Sequence, residues 1–142
     1  MKSKILSFSA ILFSVLLLAS CAKLDKVLVK KDGKWKVTRT RIKITSGGIP
    51  ISDVTNNTPN LTYTFEKDNK GTITDASGTN TPFTWAADDD AETITVVSGG
   101  LTTVWNLTEN EKKSIKGKSS YSINIFGTVS SYESEIDMER IN

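Results

Sequence analysis

The residues of this 142-residue chain that could do chemistry are few in kind. There is no histidine, and Cys21 is the single cysteine. Ser-His-Asp and Cys-His catalysis, histidine metal ligands and an internal disulfide are therefore excluded. A nucleophile would have to be Ser, Thr or Lys, or the chemistry would rest on paired carboxylates. Serine and threonine are so abundant that none stands out, and no Gly-x-Ser-x-Gly or phosphate-loop pattern occurs. The expectation is a protein that is not an enzyme, with no catalytic residue, no metal site and no cofactor.

Three other groups could recognise something. Asp88, Asp89, Asp90 and Glu92 could gather oxygens around calcium, but they lack the EF-hand spacing, and a solvated hairpin tip is the expectation. Arg39 and Arg41 could meet an anionic head group or a carboxylate, with solvent exposure as the plainer reading. The aromatic residues Trp35, Tyr63, Phe65, Phe83, Trp85, Trp105 and Tyr121 all fall on inward positions if the segments around them alternate. From this set Trp35, Tyr63, Phe65, Trp85, Trp105 and Tyr121 are the candidate contacts for a small apolar ligand, the tyrosine hydroxyls fixing its orientation. The competing reading is a packed aromatic core, because a chain of this size has little volume to leave empty.

The elements that must position these residues are strands. From Lys34 onward no stretch keeps a 3.6-residue apolar period over three turns, whereas period-two segments recur every 10 to 12 residues. Leu61, Tyr63 and Phe65 alternate with polar residues, and Asp68-Asn69-Lys70-Gly71 supplies a turn. Phe83 and Trp85, Ile94 and Val96, Leu101 to Leu107, and Tyr121 to Ile125 follow the same rule. In the first strand Trp35 and Val37 are odd but Ile42 and Ile44 are even, which predicts a β-bulge between Thr38 and Arg41. Residues 46–60 read as a long connection with a short edge strand at 49–54. In the last strand Glu133, Glu135, Asp137 and Glu139 share one face, which suggests a charged edge that resists pairing. Before the strands, Leu24, Val27 and Leu28 lie on one helix face and Gly33 can stop the turn.

The first twenty residues have a different character. Lys2 and Lys4 precede an uncharged, largely apolar run from Ile5 to Leu18, the length of a signal-peptide core and too short to span a bilayer. Leu18-Ala19-Ser20-Cys21 resembles the lipobox of bacterial lipoproteins. The resemblance implies cleavage before Cys21, acylation of its thiol, and anchoring in the bacterial cell envelope. Ala22, rather than Asp, after the cysteine implies delivery to the outer membrane. Without Lys2 and Lys4, 16 basic residues face 16 acidic ones, so the net charge of +2 belongs to the leader and the mature chain is neutral. No clustered basic excess remains for nucleic acid.

Gly33-Lys34-Trp35 behind a short helical turn resembles the Gly-x-Trp start of the lipocalin barrel. The hairpin from Tyr63 to Thr72, Phe83-Thr84-Trp85, and Val104-Trp105-Asn106-Leu107-Thr108 are similar, in order and spacing, to bacterial lipocalin-like lipoproteins. The resemblance runs from Gly33 to Ile141. It implies an all-β fold, an antiparallel up-and-down barrel of about eight to ten strands. The chain is shorter than the classical lipocalins, with no long C-terminal helix and no disulfide. Three parts are expected: a signal peptide (residues 1–20), a lipid-anchored tether with a helical turn (21–33), and a lipocalin-like barrel (34–142). Its function is expected to be that of an envelope lipoprotein binding a small apolar ligand. The alternative is a solid-cored module with no ligand that contacts another envelope protein or inhibits host or rival hydrolases.

Overall fold

The computed structural model describes residues 23–141. Cys21 and the expected leader lie outside the described residues. The chain opens with a five-residue helix, α1 (Leu24–Leu28), and a tight turn at Lys31–Gly33. Nine strands follow: β1 (Lys34–Ser46), β2 (Ile49–Asn56), β3 (Thr62–Phe65), β4 (Lys70–Thr74) and β5 (Asn80–Asp88), then β6 (Thr93–Ser98), β7 (Leu101–Asn110), β8 (Ser114–Ile125) and β9 (Thr128–Arg140).

Every pairing is antiparallel, and β1 closes the sheet by pairing with both β3 and β9. Eight strands therefore form a closed barrel and β2 is additional. Closure satisfies the backbone groups that an open sheet would leave on its edges. The all-β, up-and-down reading of the sequence is the architecture found, and a small barrel of this kind is consistent with a lipocalin-like fold.

Alternation places the large apolar residues inside. Trp35, Val37, Phe65, Phe83, Trp85, Ile94, Val96, Trp105, Leu107, Ile115, Ile136 and Met138 form one buried core, joined by Leu24, Val27 and Leu28 of the helix. Two glycines are there because nothing larger fits. A Cβ on Gly33 would lie 1.9 Å from the Phe65 carbonyl oxygen, and its φ of +62° is a left-handed conformation. A Cβ on Gly71 would lie 2.3 Å from Phe83 Cζ.

The phase slip in the first strand is a bulge. Val37 faces Met138 and Arg39 faces Asp137, so Thr38 is the extra residue and Thr40 takes up the inward face opposite Ile136. From that point β1 leaves its barrel neighbour β3 and pairs with β2 instead. On the other side β8 pairs with β7 only through Lys118, then continues with β9 alone to Ile125. The result is a four-stranded lobe, ordered β2-β1-β9-β8, that runs past the barrel wall and ends in hairpin turns at Gly47-Gly48 and Phe126-Gly127. The 13 residues of β1 place those turns about 40 Å from α1 at ~3.3 Å per residue.

One expectation is overturned here. The acidic face of β9 is not a guarded edge, because β9 lies between β1 and β8 from Ser130 to Glu139, the stretch that holds all four acidic residues. Its carboxylates answer the basic residues of the two neighbouring strands.

Candidate functional site: a filled barrel and an apolar sheet face

The candidate ligand contacts separate into two places. Trp35, Phe65, Trp85 and Trp105 are buried in the barrel, and Tyr63 is half-buried beside them. Their rings touch one another. Tyr63 lies 5.6 Å from Phe83 and 5.5 Å from Trp105, centroid to centroid, and Phe65 lies 5.4 Å from Phe83 and 5.5 Å from Trp85. Three of these four pairs are edge-to-face or tilted close to it, the geometry that ring quadrupoles favour. Burial pushes the Tyr63 hydroxyl above its ordinary pKa, so it stays neutral. Two of the three indole N–H groups donate to backbone: Trp35 Nε1 to the Leu28 carbonyl at 2.9 Å, and Trp85 Nε1 to that of Lys70 at 2.8 Å. This is how a barrel of eight strands fills itself with side chains.

The helical end of the barrel is sealed. Leu24 and Leu28 are fully buried, and the Asp89 carboxylate accepts the Leu24 N–H, supplying a helix cap from across the fold. Arg140 reaches back from the end of β9. Its guanidinium lies 4.6 Å from the Trp35 ring centre, and Nη2 donates to the Val27 carbonyl. Burial lowers the Arg140 pKa, and its buried Nε has no protein partner. Two open depressions lie at this end, the first mainly polar and the second mainly apolar. One of about 1060 Å³ is lined by Lys23, Asp88, Asp89, Asp90, Glu92 and neighbouring residues, and one of about 940 Å³ by Lys26, Lys30, Asp32, Lys67 and neighbours. Of the candidate ligand contacts Phe65 borders the second, beside Val29, whereas Trp35, Tyr63, Trp85 and Trp105 line neither.

Tyr121 stands apart. It keeps the inward phase of its strand, opposite Tyr132, but it lies on the lobe beyond the point where β7 ends its pairing with β8. It is 60% exposed and stacks on Tyr132 with centroids 4.8 Å apart. The inward phase continues through the whole lobe. Ile42 pairs with Ser134 and Val54, and Ile44 with Tyr132 and Ser52. Ser119, Tyr121 and Ile123 pair with Ser134, Tyr132 and Ser130. No residue of this register set carries a charge. Ile42 and Val54 are 53% and 60% exposed. The barrel interior thus continues outward as an uncharged sheet face of aliphatic, tyrosine and serine side chains, on which Ile42, Val54 and Tyr121 are exposed.

The opposite face of the same lobe is a charge ladder. Arg39 pairs with Glu135 at 3.1 Å and with Asp137 at 3.6 Å, and Lys43 with Glu133 at 3.5 Å. Arg41 holds Asp53 through two bonds of 2.8 and 2.6 Å, and Lys118 reaches Glu135 at 3.1 Å. The bidentate bonds from Arg41 hold the Asp53 carboxyl below the usual carboxylate range. Lys118, and then Arg39, does the same for Glu135, against an opposing desolvation. Arg39 and Arg41 are thus committed to carboxylates of this chain. Asp88, Asp89 and Asp90 sit where β5 turns to β6, and Asp88 Oδ1 accepts the backbone N–H groups of Asp90 and Ala91 at 3.0 Å. That is the hairpin tip expected, with Asp89 diverted to the helix. A comparison with protein-family models finds no match for this chain, and neither does a search of curated proteins.

Proposed function

We propose that this protein is a lipid-anchored cell-envelope interaction module, with a solid barrel as its body and the apolar face of the lobe as its working surface. The observation that carries this reading is the contrast within one continuous register. Inside the barrel the aromatic residues pack on one another, and past it the same phase presents Ile42, Val54 and Tyr121 to solvent. An exposed apolar patch of this extent, backed by charge, is what a protein contact uses.

The anchor part of the reading rests on the lipobox resemblance at Leu18-Ala19-Ser20-Cys21. Two or three acyl chains on Cys21 exceed the two-signal requirement for stable attachment. Only Ala22 and Lys23 separate Cys21 from α1, so the anchored membrane meets the helical end of the barrel. The lobe then points away from that membrane by about the length of β1, ~40 Å.

Photo-crosslinking in intact cells tests the surface. A crosslinking residue at Ile42 is expected to give a discrete adduct, and one at Val104, exposed on the barrel wall, is not. Equal labelling at both positions, or none at either, refutes the interaction surface. The anchor has its own test: Cys21→Ala is expected to abolish lipid labelling and membrane retention, and an unchanged membrane fraction refutes it.

A further inference from the structure

We infer that the tip of the lobe, where the turns Gly47-Gly48 and Phe126-Gly127 lie side by side, enters the interface of a lipid bilayer, with Phe126 as the deepest side chain. This site is distinct from the sheet face of Ile42 and Tyr121. It depends neither on that face nor on the anchor.

Charge is divided between the two ends of the molecule. The three hairpin turns at the α1 end, 66–69, 89–92 and 111–113, each carry three charged residues. At the other end the turns 47–48, 75–79, 99–100 and 126–127 hold one between them, Asp75. The lobe runs past the barrel wall in that direction, and its residues 44–52 and 119–132 carry no charge on either face. A protein contact needs one suitable face. A bilayer surrounds whatever enters it, so every side must be free of charge.

Phe126 is the residue that turn chemistry does not explain. Phe126 and Gly127 have φ of +51° and +84°, and Gly47 and Gly48 have +57° and +80°. Two-residue hairpin turns of this hand take Gly, Asn or Asp at the first position, as Gly47 does. A bulky residue at positive φ is an outlier. Phe126 is also fully exposed, so it contributes nothing to the core. A strained and exposed side chain points to a contact outside the chain. Around it Ile49, Ile51 and Val129 are each more than half exposed, which makes the protruding end apolar.

The tip is also built to enter lipid without bare amides. The Gly47 N–H donates to the Val129 carbonyl at 2.9 Å and so locks one turn to the other. Ser130 Oγ donates to Ser46 Oγ at 3.0 Å, and Asn124 Oδ1 accepts the Gly127 N–H at 3.0 Å. Two turn amides that would be costly in hydrocarbon are thereby paired within the tip. The depth agrees. Lys43 is the charged residue nearest the turns along the chain, four residues before Gly47, or about 13 Å at ~3.3 Å per residue. Apolar groups of interfacial segments sink ~5–10 Å. Phe126, Ile49 and Val129 therefore enter, while Lys43 and its partner Glu133, 3.5 Å away, stay in water. If Cys21 anchors the α1 end, the tip meets a bilayer other than the one that holds the anchor.

Co-sedimentation of the chain from Ala22, which contains every described residue, with sucrose-loaded phosphatidylcholine vesicles tests this. The chain is expected to partition onto these neutral vesicles between about 0.1 and 10 mM lipid. Raising the salt from about 0.05 to 0.5 M is expected to leave the partition unchanged, because no charge attraction is there to be screened. Phe126→Asn is expected to weaken it at least ~fivefold. The same variant is expected to keep or raise the melting temperature, because Asn suits a positive φ in this turn. Val104→Thr, exposed on the barrel wall, is expected to change nothing. A chain that stays in the supernatant at the highest lipid concentration overturns the inference. So does binding that requires anionic lipid and disappears in salt, which belongs to the charged α1 end. Equal losses in Phe126→Asn and Val104→Thr overturn it too. A crosslinking residue at Phe126 in intact cells separates lipid from protein. A lipid adduct supports the inference, and an adduct with a protein alone, or none, overturns it.

Discussion

The barrel body and the lobe are built from the same strands in the same phase, yet one buries its apolar residues and the other does not. β1 runs through both. Its Trp35 and Val37 are fully buried, and its Ile42 is 53% exposed only five residues beyond Val37. β8 repeats the contrast, with Ile115 fully buried and Tyr121 60% exposed. What changes is the neighbour across the barrel. Where β1 pairs with β3 and β8 with β7, five further strands close the far wall and cover the inner face. Where those pairings stop, the inner face has no opposite wall. Burial is decided by closure, a long-range property, while the phase is local.

The largest expected effects test the barrel half of that contrast. Phe65→Ala or Trp35→Ala is expected to cost about 3–5 kcal/mol, the range for large buried aromatics, measured by urea unfolding. Tyr121→Ala on the lobe is expected to cost under ~0.5 kcal/mol in the monomer, as for exposed sites generally. Comparable losses at both places would erase the distinction. Gly33→Ala is next: its Cβ would collide with the Phe65 carbonyl, so a markedly lower melting temperature is expected. Arg140→Met keeps bulk over Trp35 but removes the charged hydrogen bond to Val27, a loss of about 1.5–3 kcal/mol. Its signature is faster amide exchange across Leu24–Leu28, with the amides of β5 and β6 unchanged. Uniform acceleration would show that the helix is part of the global unit.

The smallest effect belongs to the charge ladder. Glu135 and Asp53 have depressed folded-state pKa values, so they bind protons less readily than in the unfolded chain. Their contribution is therefore complete above the ordinary carboxylate range near ~4, and is lost as pH falls through their folded values. Glu135→Gln is expected to flatten the acid side of a melting-temperature profile slightly and leave neutral pH nearly unchanged. A variant that melts much lower at pH 7 would assign the ladder more than a solvating role.

Much of the body was legible in the sequence because period-two alternation is local. Trp35, Phe65, Trp85 and Trp105 were placed on inward positions from spacing alone, and the bulge near Thr38 from one slip of phase. The helical turn at Leu24, Val27 and Leu28 was legible for the same reason. Tyr121 was assigned to the aromatic interior by the same alternation, and its phase is right, but alternation does not say where the opposite wall ends. The acidic stripe on β9 misled because Arg39, Arg41, Lys43 and Lys118 reach it only through pairings distant in sequence. Asp89 capping α1 and Arg140 covering Trp35 span 65 and 113 residues of separation to their partners on the helix, and no local pattern announces them.

The central claim is that the barrel is full and the lobe is the surface that works. Native mass spectrometry of the chain from Ala22, purified from its own host under non-denaturing conditions, tests it most directly. The expected result is the polypeptide mass alone, with no stoichiometric adduct on the monomer or on any assembled form. A bound small molecule of several hundred daltons, retained by the folded chain and released when Trp105 or Phe65 is replaced, would contradict it and restore the barrel interior as the binding site.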